Sequence, residues 1–312
     1  MDEWFTEQTW RDLWLKKVRA YIARYGDDPT VMAWELWNEI DCCATSRWEI
    51  QREWTRDMLR AIKAMAPKQL VTNSLGSFDA EHKQGIQDDF HMEEMDFQQV
   101  HRYLDQGAPW CICTVDPVTL SVDAVQRARR PDRPIILGET GAVNDRHTGP
   151  FRFYRFDNRG IIFHDTTFPV FFAGAAGTGQ IWHWDHYVDQ KNLWPQFRPF
   201  ADLVEGIALD AEGFDPIDLS TERAWILGLL GREHLLLWIR NRADSWHAVL
   251  RDGQEPPLLE GEMLDLTSMG IRAGEVATYW PWAEDTGQVT LTDGQLCLPS
   301  FRYGLLLRIC LP

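Results

Sequence analysis

The feature that most constrains the fold is a regular alternation of short apolar runs with longer amphipathic stretches, which extends to about residue 206. The short runs are rich in β-branched and aromatic residues, and the longer stretches repeat apolar residues every three to four positions. Such a rhythm is typical of βα units built around a parallel sheet. The alternation predicts strands at 31–37, 70–73, 96–103, 134–138 and 179–184, and helices at 7–25, 46–65, 118–129, 160–175 and 193–204.

The pattern changes after residue 206, where helical periodicity disappears and short strands alternate with turn residues. Asp-Gly pairs at 252–253 and 293–294 are turn signals of the kind that connect antiparallel strands. We therefore predict an α/β domain at 1–206 and a small antiparallel β-sandwich domain at 207–312. The candidate strands of the second domain lie at 224–230, 234–240, 246–251, 275–280, 288–292 and 303–310.

Charge and hydropathy argue against nucleic-acid binding and against a membrane span. Asp and Glu number 47 against 31 Lys and Arg, a formal net charge of −16, whereas binding of nucleic acid needs clustered basic side chains. No stretch approaches the roughly 18 uninterrupted apolar residues of a membrane span. The N-terminal residues have neither the basic nor the apolar segment of a signal peptide. The sequence does not indicate a cellular compartment.

Cysteine and histidine spacing predicts neither a disulfide framework nor a metal centre. Cys42 and Cys43 are too close in sequence for easy disulfide geometry, as are Cys111 and Cys113, so we expect free or buried thiols. Histidines at 164, 183 and 186 have acidic neighbours at 165 and 185, but they lack the supporting cluster of ligands that a metal site requires.

Two glutamates follow apolar strands at the same predicted edge of the sheet. Glu39 ends the run Trp34–Glu39, and Glu139 ends the strand that begins near Pro134, three strands later. In α/β barrels the carboxyl ends of the strands carry the catalytic groups. Two carboxylates that meet there suit cleavage of a glycosidic bond, in which one protonates the leaving oxygen and the other attacks or activates water.

Further residues stand in a fixed order around these glutamates: His101 and Tyr103 lie between them, Gly138–Gly141 includes Glu139, and Trp182 and Trp184 follow. The ordered set resembles the clan A glycoside hydrolases and is most similar to the cellulase-like family five and its relatives. The resemblance covers about residues 5–206 and implies a TIM-type β/α barrel. It also implies hydrolysis of β-glucan, β-mannan or related oligosaccharides without a cofactor.

The resemblance assigns a role to each matching residue. Glu39 would be the general acid/base and Glu139 the nucleophile of a retaining enzyme. Asn38 would hydrogen-bond the sugar 2-hydroxyl, and His101 and Tyr103 would position the nucleophile side of the site. Because the two carboxyls of a retaining enzyme stand ~5 to 5.5 Å apart, we expect Glu39 to be protonated while Glu139 is ionised.

Several nearby residues have competing interpretations. Glu35 is interpreted as a paired structural charge deeper in the barrel, and His101 as either a site residue or a satisfied core histidine. Trp182 and Trp184 are expected to share one face of a strand, and we favour a sugar subsite for Trp182. Asn73, at a strand end, is a further candidate for substrate binding. Packing is favoured over a carbohydrate platform for Trp225, Trp238, Trp246, Trp280 and Trp282.

At its start the chain departs from the pattern of the family. The strand before Glu39 should be the fourth of eight, although it begins near residue 31, so strands one to three are not predicted. We expect a partial barrel with two open sheet edges and an exposed apolar face, and we hypothesise a homo-oligomer that covers them. The alternative function is that of a truncated, non-catalytic carbohydrate-binding protein with the same fold.

Overall fold

A computed structural model describes all of residues 1–312, and its first part contains two pairs of parallel strands. Strand β1 (Ala33–Glu35) pairs with β2 (Leu70–Thr72), and β3 (Gln98–His101) pairs with β4 (Ile135–Glu139). The backbone N–H of Asp96 donates to the Val71 carbonyl at 2.9 Å, which connects the two pairs. On the far side of β4, Thr140 forms a parallel bridge with Ile181. The result is an open parallel array in chain order.

The helices of this part cover the array, and most lie where the apolar spacing predicts them. Pro169 divides the predicted helix at 160–175 into two short ones, because proline supplies no backbone N–H for a continuous helix. The helices are α1 (Asp2–Thr6), α2 (Gln8–Tyr25), α3 (Trp48–Met65), α4 (Gln84–Asp89), α5 (Ile112–Val115), α6 (Pro117–Ala128), α7 (Ile161–Thr167), α8 (Pro169–Phe172), α9 (Phe197–Val204) and α10 (Leu209–Glu212). None of them is both long and apolar enough to cross a membrane.

The predicted strand at 179–184 is wrong in extent. Only Ile181 bridges to its neighbour, and the chain turns immediately afterwards. The N–H of Asp189 donates to the Trp184 carbonyl at 2.8 Å, a turn bond in a segment rich in turn-forming Asp and Asn. Trp182 and Trp184 therefore lie in turns and do not share the face of a strand.

The C-terminal part contains two antiparallel sheets. The five-stranded sheet has the order β5-β6-β7-β12-β9, and the three-stranded sheet has the order β10-β11-β8. The predicted strand at 246–251 is wrong: these residues form a π-helix whose first turn is capped by the Ser245 hydroxyl. The strands are β5 (Asp215–Asp218), β6 (Ala224–Leu230), β7 (His234–Asn241), β8 (Met263–Asp265), β9 (Glu275–Tyr279), β10 (Thr290–Thr292), β11 (Gln295–Cys297) and β12 (Gly304–Cys310).

The five-stranded sheet is buried on both faces. Along β7, Leu236 and Trp238 belong to the core shared with the α/β part, whereas Leu235 and Leu237 belong to the core shared with the three-stranded sheet. Strand geometry explains the division, because successive side chains point to opposite faces. The apolar core of the first part therefore extends across residue 206 into the C-terminal sheet.

A buried ion cluster reinforces this contact between the two parts. Arg240 on β7 donates to Asp165 of α7 at 2.9 Å and to Asp244, and Arg159 also donates to Asp244. The Arg240 side chain is 1% exposed and that of Asp244 is fully buried. Since buried charges must be paired, these groups favour one relative position of helix and sheet.

Replacing Arg240 with alanine should destabilise the protein strongly, because the buried Asp165 carboxylate would lose its cation and Asp244 would keep only Arg159. Breaking such a buried pair typically costs about 3–5 kcal/mol. Urea denaturation followed by tryptophan fluorescence would measure the change. The control is Arg251→Ala, which removes an exposed pair with Asp252 and should leave the midpoint unchanged. Equal midpoints for the two variants would contradict a structural role for the cluster.

Candidate active site

Glu39 lies after β1 in an unusual backbone conformation. Its φ of 53° is in the left-handed region, which residues other than glycine rarely adopt. Two hydrogen bonds to Ser74 hold it there: the Glu39 N–H donates to the Ser74 hydroxyl at 2.9 Å, and the Ile40 N–H donates to the Ser74 carbonyl at 3.1 Å. The loop after β2 thus fixes the position of the Glu39 side chain.

Glu139 is the last residue of β4, and the residue before it packs closely against β3. A Cβ on Gly138 would lie 2.4 Å from Gln99 Oε1 and 3.1 Å from His101 Nε2, so a larger residue would displace the end of the Gln99 side chain. A register shift between Val100 and His101 brings His101 opposite Glu139. This irregularity turns the imidazole towards the carboxylates.

His101 joins the two glutamates. Its Nδ1 lies 2.8 Å from Glu39 Oε1 and 3.9 Å from Glu139 Oε2, and the residue is 1% exposed. One ligand-type atom from each of the three residues lies within 4.8 Å of the others. The carboxylates of Glu39 and Glu139 therefore approach each other closely, although 100 positions separate them in the sequence.

Tyr103 adds a hydrogen bond to the second glutamate. Its hydroxyl donates to Glu139 Oε2, and the side chain is buried. Burial, followed by the negative charge of Glu139, raises the pKa of Tyr103 far above its usual range. The phenol therefore stays protonated and acts as a hydrogen-bond donor to the carboxylate across the neutral pH range.

A cavity of about 500 Å³ opens beside Glu139. Its wall includes Trp182, Trp184 and Trp194, which are 42%, 53% and 43% exposed. Flat aromatic faces next to paired carboxylates can pack against the apolar face of a sugar ring while polar groups act on its oxygens. Trp194 was missed by sequence reasoning, because it lies at the start of a segment whose periodicity indicated only a helix.

Two interpretations made from the sequence need correction. Asn73 was predicted to bind substrate, but it is fully buried: its Oδ1 accepts from the Trp37 N–H at 2.9 Å and its Nδ2 donates to Thr55 at 3.1 Å. Its amide is thus used to join β2 to the chain after β1. Glu35 was expected to be a buried paired charge, but it is exposed and accepts from the Ser74 hydroxyl at 2.6 Å.

Further residues lie near the glutamates. Asn38 is exposed beside Glu39, as its predicted role requires, and Cys42 places its Sγ 3.8 Å from Glu39 Oε2. Burial raises the pKa of Cys42 to about 11, so it is a protonated thiol rather than a nucleophile. Asp105 and His147 form a further pair next to Tyr103.

Two clusters have enough ligand atoms at close range to hold a cation. One consists of Glu39, His101 and Glu139, and the other of Glu212, Glu233 and His234. In each cluster a histidine Nδ1 already lies within hydrogen-bonding distance of a carboxylate. The two clusters do not include the pairs around His164, His183 and His186 that were rejected as metal sites from the sequence.

Comparison with known proteins shows which families and relatives this chain is similar to. The profile of the family Cellulase (glycosyl hydrolase family 5) matches residues 3–155. Mannan endo-1,4-beta-mannosidase 7 of Arabidopsis thaliana is 26% identical over 210 residues, covering 58% of this chain and 48% of the relative. Mannan endo-1,4-beta-mannosidase F of Aspergillus fumigatus is 34% identical over 71 residues, or 22% of this chain and 16% of the relative. The chain thus matches half or less of these relatives' lengths.

Two solved structures share the overall fold of the chain. A GH30 endoxylanase from Clostridium papyrosolvens aligns with 99% of this chain and 72% of its own, with a TM-score of 0.51 and 12% identity. A glycoside hydrolase family 30 subfamily 8 xylanase from Clostridium acetobutylicum aligns with 97% of this chain and 72% of its own, with a TM-score of 0.53 and 8% identity. These structures support an α/β barrel-like fold. The resemblance found in the sequence is confirmed: over residues 3–155 the chain is similar to the cellulase-like glycoside hydrolases of clan A.

Proposed function

We propose that the protein is a retaining β-glycoside hydrolase in which Glu39 is the acid/base and Glu139 the nucleophile. The observation that carries the proposal is the close approach of the two carboxylates, whose oxygens lie within 4.8 Å of each other beside His101. Retaining glycosidases hold their carboxyls about 5–5.5 Å apart, whereas inverting enzymes leave about 6.5–9.5 Å for a water molecule. The spacing therefore favours direct attack by Glu139.

In the first step of this mechanism, a Glu139 oxygen bonds to the anomeric carbon as the glycosidic bond breaks. The Glu39 carboxylic acid gives its proton to the leaving oxygen and becomes a carboxylate. In the second step Glu39 removes a proton from water, and the resulting oxygen displaces Glu139 from the sugar. Both glutamates then return to their starting protonation states, and the sugar keeps its anomeric configuration.

The groups around the two glutamates fit the roles of Glu39 as acid/base and Glu139 as nucleophile. The Tyr103 hydroxyl donates to Glu139 and holds its carboxylate, the proposed nucleophile, in position. His101 holds Glu39 within reach of the same bond, and exposed Asn38 is available to a sugar 2-hydroxyl. Because the reaction consists of proton transfers and one displacement at carbon, the proposed mechanism uses no cofactor.

For the substrate we propose a mannan-type β-linked polysaccharide or its oligosaccharides, with β-glucan as the related class. The support is the match to mannan endo-1,4-beta-mannosidases together with the exposed tryptophans beside Glu139. We also propose that residues 207–312 are an accessory β-sandwich domain whose tryptophans serve packing. In support, Trp238, Trp246 and Trp282 are buried, and the Trp246 and Trp282 indoles donate to carbonyls of the α/β part.

Replacing Glu139 with glutamine should abolish hydrolysis of an aryl β-mannoside while leaving oligosaccharide binding intact. The amide is nearly isosteric but is not a carboxylate nucleophile, so kcat should fall by about a thousandfold or more. Product release would measure hydrolysis, and calorimetric titration with β-1,4-mannotriose would measure binding.

Exposed Glu93 provides the matched control, and Glu93→Gln should hydrolyse the aryl mannoside at the unmodified rate. A wild-type protein that binds mannotriose but hydrolyses neither mannoside nor glucoside would instead indicate the non-catalytic carbohydrate-binding alternative. Hydrolysis that survives in Glu139→Gln would contradict the assigned nucleophile.

Replacing Glu39 with glutamine should remove general acid catalysis, because the amide has no acidic proton to give to the leaving oxygen. General acid catalysis is worth about 10²–10⁴-fold, and poor leaving groups depend on it most. Unactivated mannotriose should therefore lose more activity than an aryl mannoside with an acidic phenol. Equal losses for both substrates would exclude Glu39 as the acid.

We further propose that the protein self-associates through α2 and the open edge of β1. The exposed fractions of Leu13, Tyr21 and Met32 are 51%, 48% and 65%, and β1 pairs with β2 on one side only. An open strand edge beside apolar side chains favours association with a second copy. Light scattering on folded protein should give at least twice the 36.3 kDa of one chain, and a monomeric mass would contradict the proposal.

A further inference from the structure

A histidine–aspartate pair adjoins the nucleophile side of the site and has no role in the mechanism above. Asp105 follows β3 and His147 lies in the loop after β4. Nδ1 of His147 is 2.9 Å from Asp105 Oδ2, and the His147 ring packs edge-on against Tyr103 with centroids 5.1 Å apart. The pair is therefore one aromatic ring away from Glu139, whose carboxylate the Tyr103 hydroxyl binds.

The two loops hold this pair rigidly. Asp105 is buried, and its Oδ1 accepts from the Gly107 N–H at 2.8 Å. A Cβ on Gly107 would come within 2.1 Å of the Asp145 carbonyl oxygen, so the backbones of the two loops are in direct contact. This contact explains why a glycine stands at 107, and it fixes the distance between the carboxylate and the imidazole.

His147 itself has a constrained backbone. Its φ is 54°, and its N–H donates to the Asn144 carbonyl at 2.8 Å, inside a hairpin closed by the bridge between Val143 and Pro150. Non-glycine residues in this region persist only where the surroundings enforce them, and they cluster at ligand-binding sites. The left-handed backbone of His147 therefore costs conformational energy, and the loop holds the imidazole in place in spite of that cost.

The chemistry of the exposed side of the ring indicates what it could bind. A carboxylate at Nδ1 favours the tautomer with its proton on that nitrogen, which leaves Nε2 as an acceptor. No hydrogen bond within the chain uses Nε2, and 33% of the side chain is exposed. The ring lies nearly parallel to Trp182, at an interplanar angle of 25° with centroids 6.4 Å apart. An indole face beside a hydrogen-bond acceptor matches a sugar ring, which has apolar C–H faces and peripheral hydroxyls.

We infer that His147 Nε2 accepts a hydrogen bond from a hydroxyl of the pyranose ring that packs on Trp182, and that Asp105 positions the imidazole for it. The inference rests on the proposed function and deepens it by naming a further residue that binds the sugar. His147 is a binding residue in this account, and Asp105 is a positioning residue that does not touch the sugar.

The test measures affinity for β-1,4-mannotriose by calorimetry in the Glu139→Gln background, where no hydrolysis occurs. His147→Asn is the informative variant, because asparagine tolerates the left-handed backbone and can still donate to Asp105, but it has no atom in the place of Nε2. We expect the dissociation constant to rise about fivefold to tenfold, as for loss of one neutral hydrogen bond. Thermal melting checks that the variant is folded.

Two further variants test the role of Asp105. Asp105→Ala should weaken binding to a similar extent, and the double variant Asp105→Ala/His147→Asn should bind no more weakly than the weaker single one, because both changes remove the same contact. The matched control is His186→Ala, which removes an exposed histidine paired with Asp185 at 2.8 Å and should leave affinity unchanged.

The outcomes separate this inference from the function on which it rests. If the Glu139→Gln protein binds mannotriose and His147→Asn binds it equally well, the inference is overturned and the proposed hydrolase stands. If losses in the double variant simply add, Asp105 does not act through His147 and its positioning role is overturned. If the wild type neither binds nor hydrolyses β-mannosides or β-glucosides, the proposed function and the inference fail together.

Discussion

The contact between His101 and the two glutamates is the interaction on which the rest of the site depends. Two carboxyls at this distance would repel each other if both were ionised, and several neighbouring groups hold them in place. His101 and Tyr103 supply bonds from β3, Ser74 fixes the backbone of Glu39 from the loop after β2, and Gly138 leaves the space these side chains fill. Residues from four neighbouring segments of the parallel array thus serve one pair of carboxylates. The order of the strands in the sheet therefore brings the residues of the site together.

The C-terminal sheet contributes to this arrangement from a distance. Its inner face supplies Leu227, Leu229 and Trp238 to the same core as Phe163 and Ile181, and Ile181 also lines the cavity beside Glu139. The ion cluster around Arg240 also orients the sheet relative to helix α7. The planar guanidinium pairs with Asp165 and Asp244 at the same time only in a restricted geometry. The wall of the cavity is therefore supported by residues from both parts of the chain.

Much of this organisation could be predicted from the sequence, because periodicity records which face of an element is buried. Helices α2, α3 and α6 and strands β4, β6, β7 and β12 lie close to their predicted positions. The errors occurred where local pattern and tertiary context disagree. Trp246–Arg251 has a strand-like composition but forms a π-helix, because the Trp246 indole donates to the Val115 carbonyl and packs into the neighbouring core. Likewise, Asn73 stands at a strand end, yet its buried amide is bonded to the Trp37 backbone N–H and to the Thr55 hydroxyl. The His147 loop gave no signal, since its importance depends on a φ angle and on a contact between distant loops.

The alternation of side chains along β7 has a consequence for how the molecule comes apart. Because Leu236 and Leu237 are adjacent in sequence but belong to different cores, the strand cannot leave one core without disturbing the other. Unfolding of the α/β part would uncover Leu236 and Trp238 on one face of β7, although Leu235 and Leu237 on the other face would keep their own core. The loss of one part should therefore weaken the other at this strand.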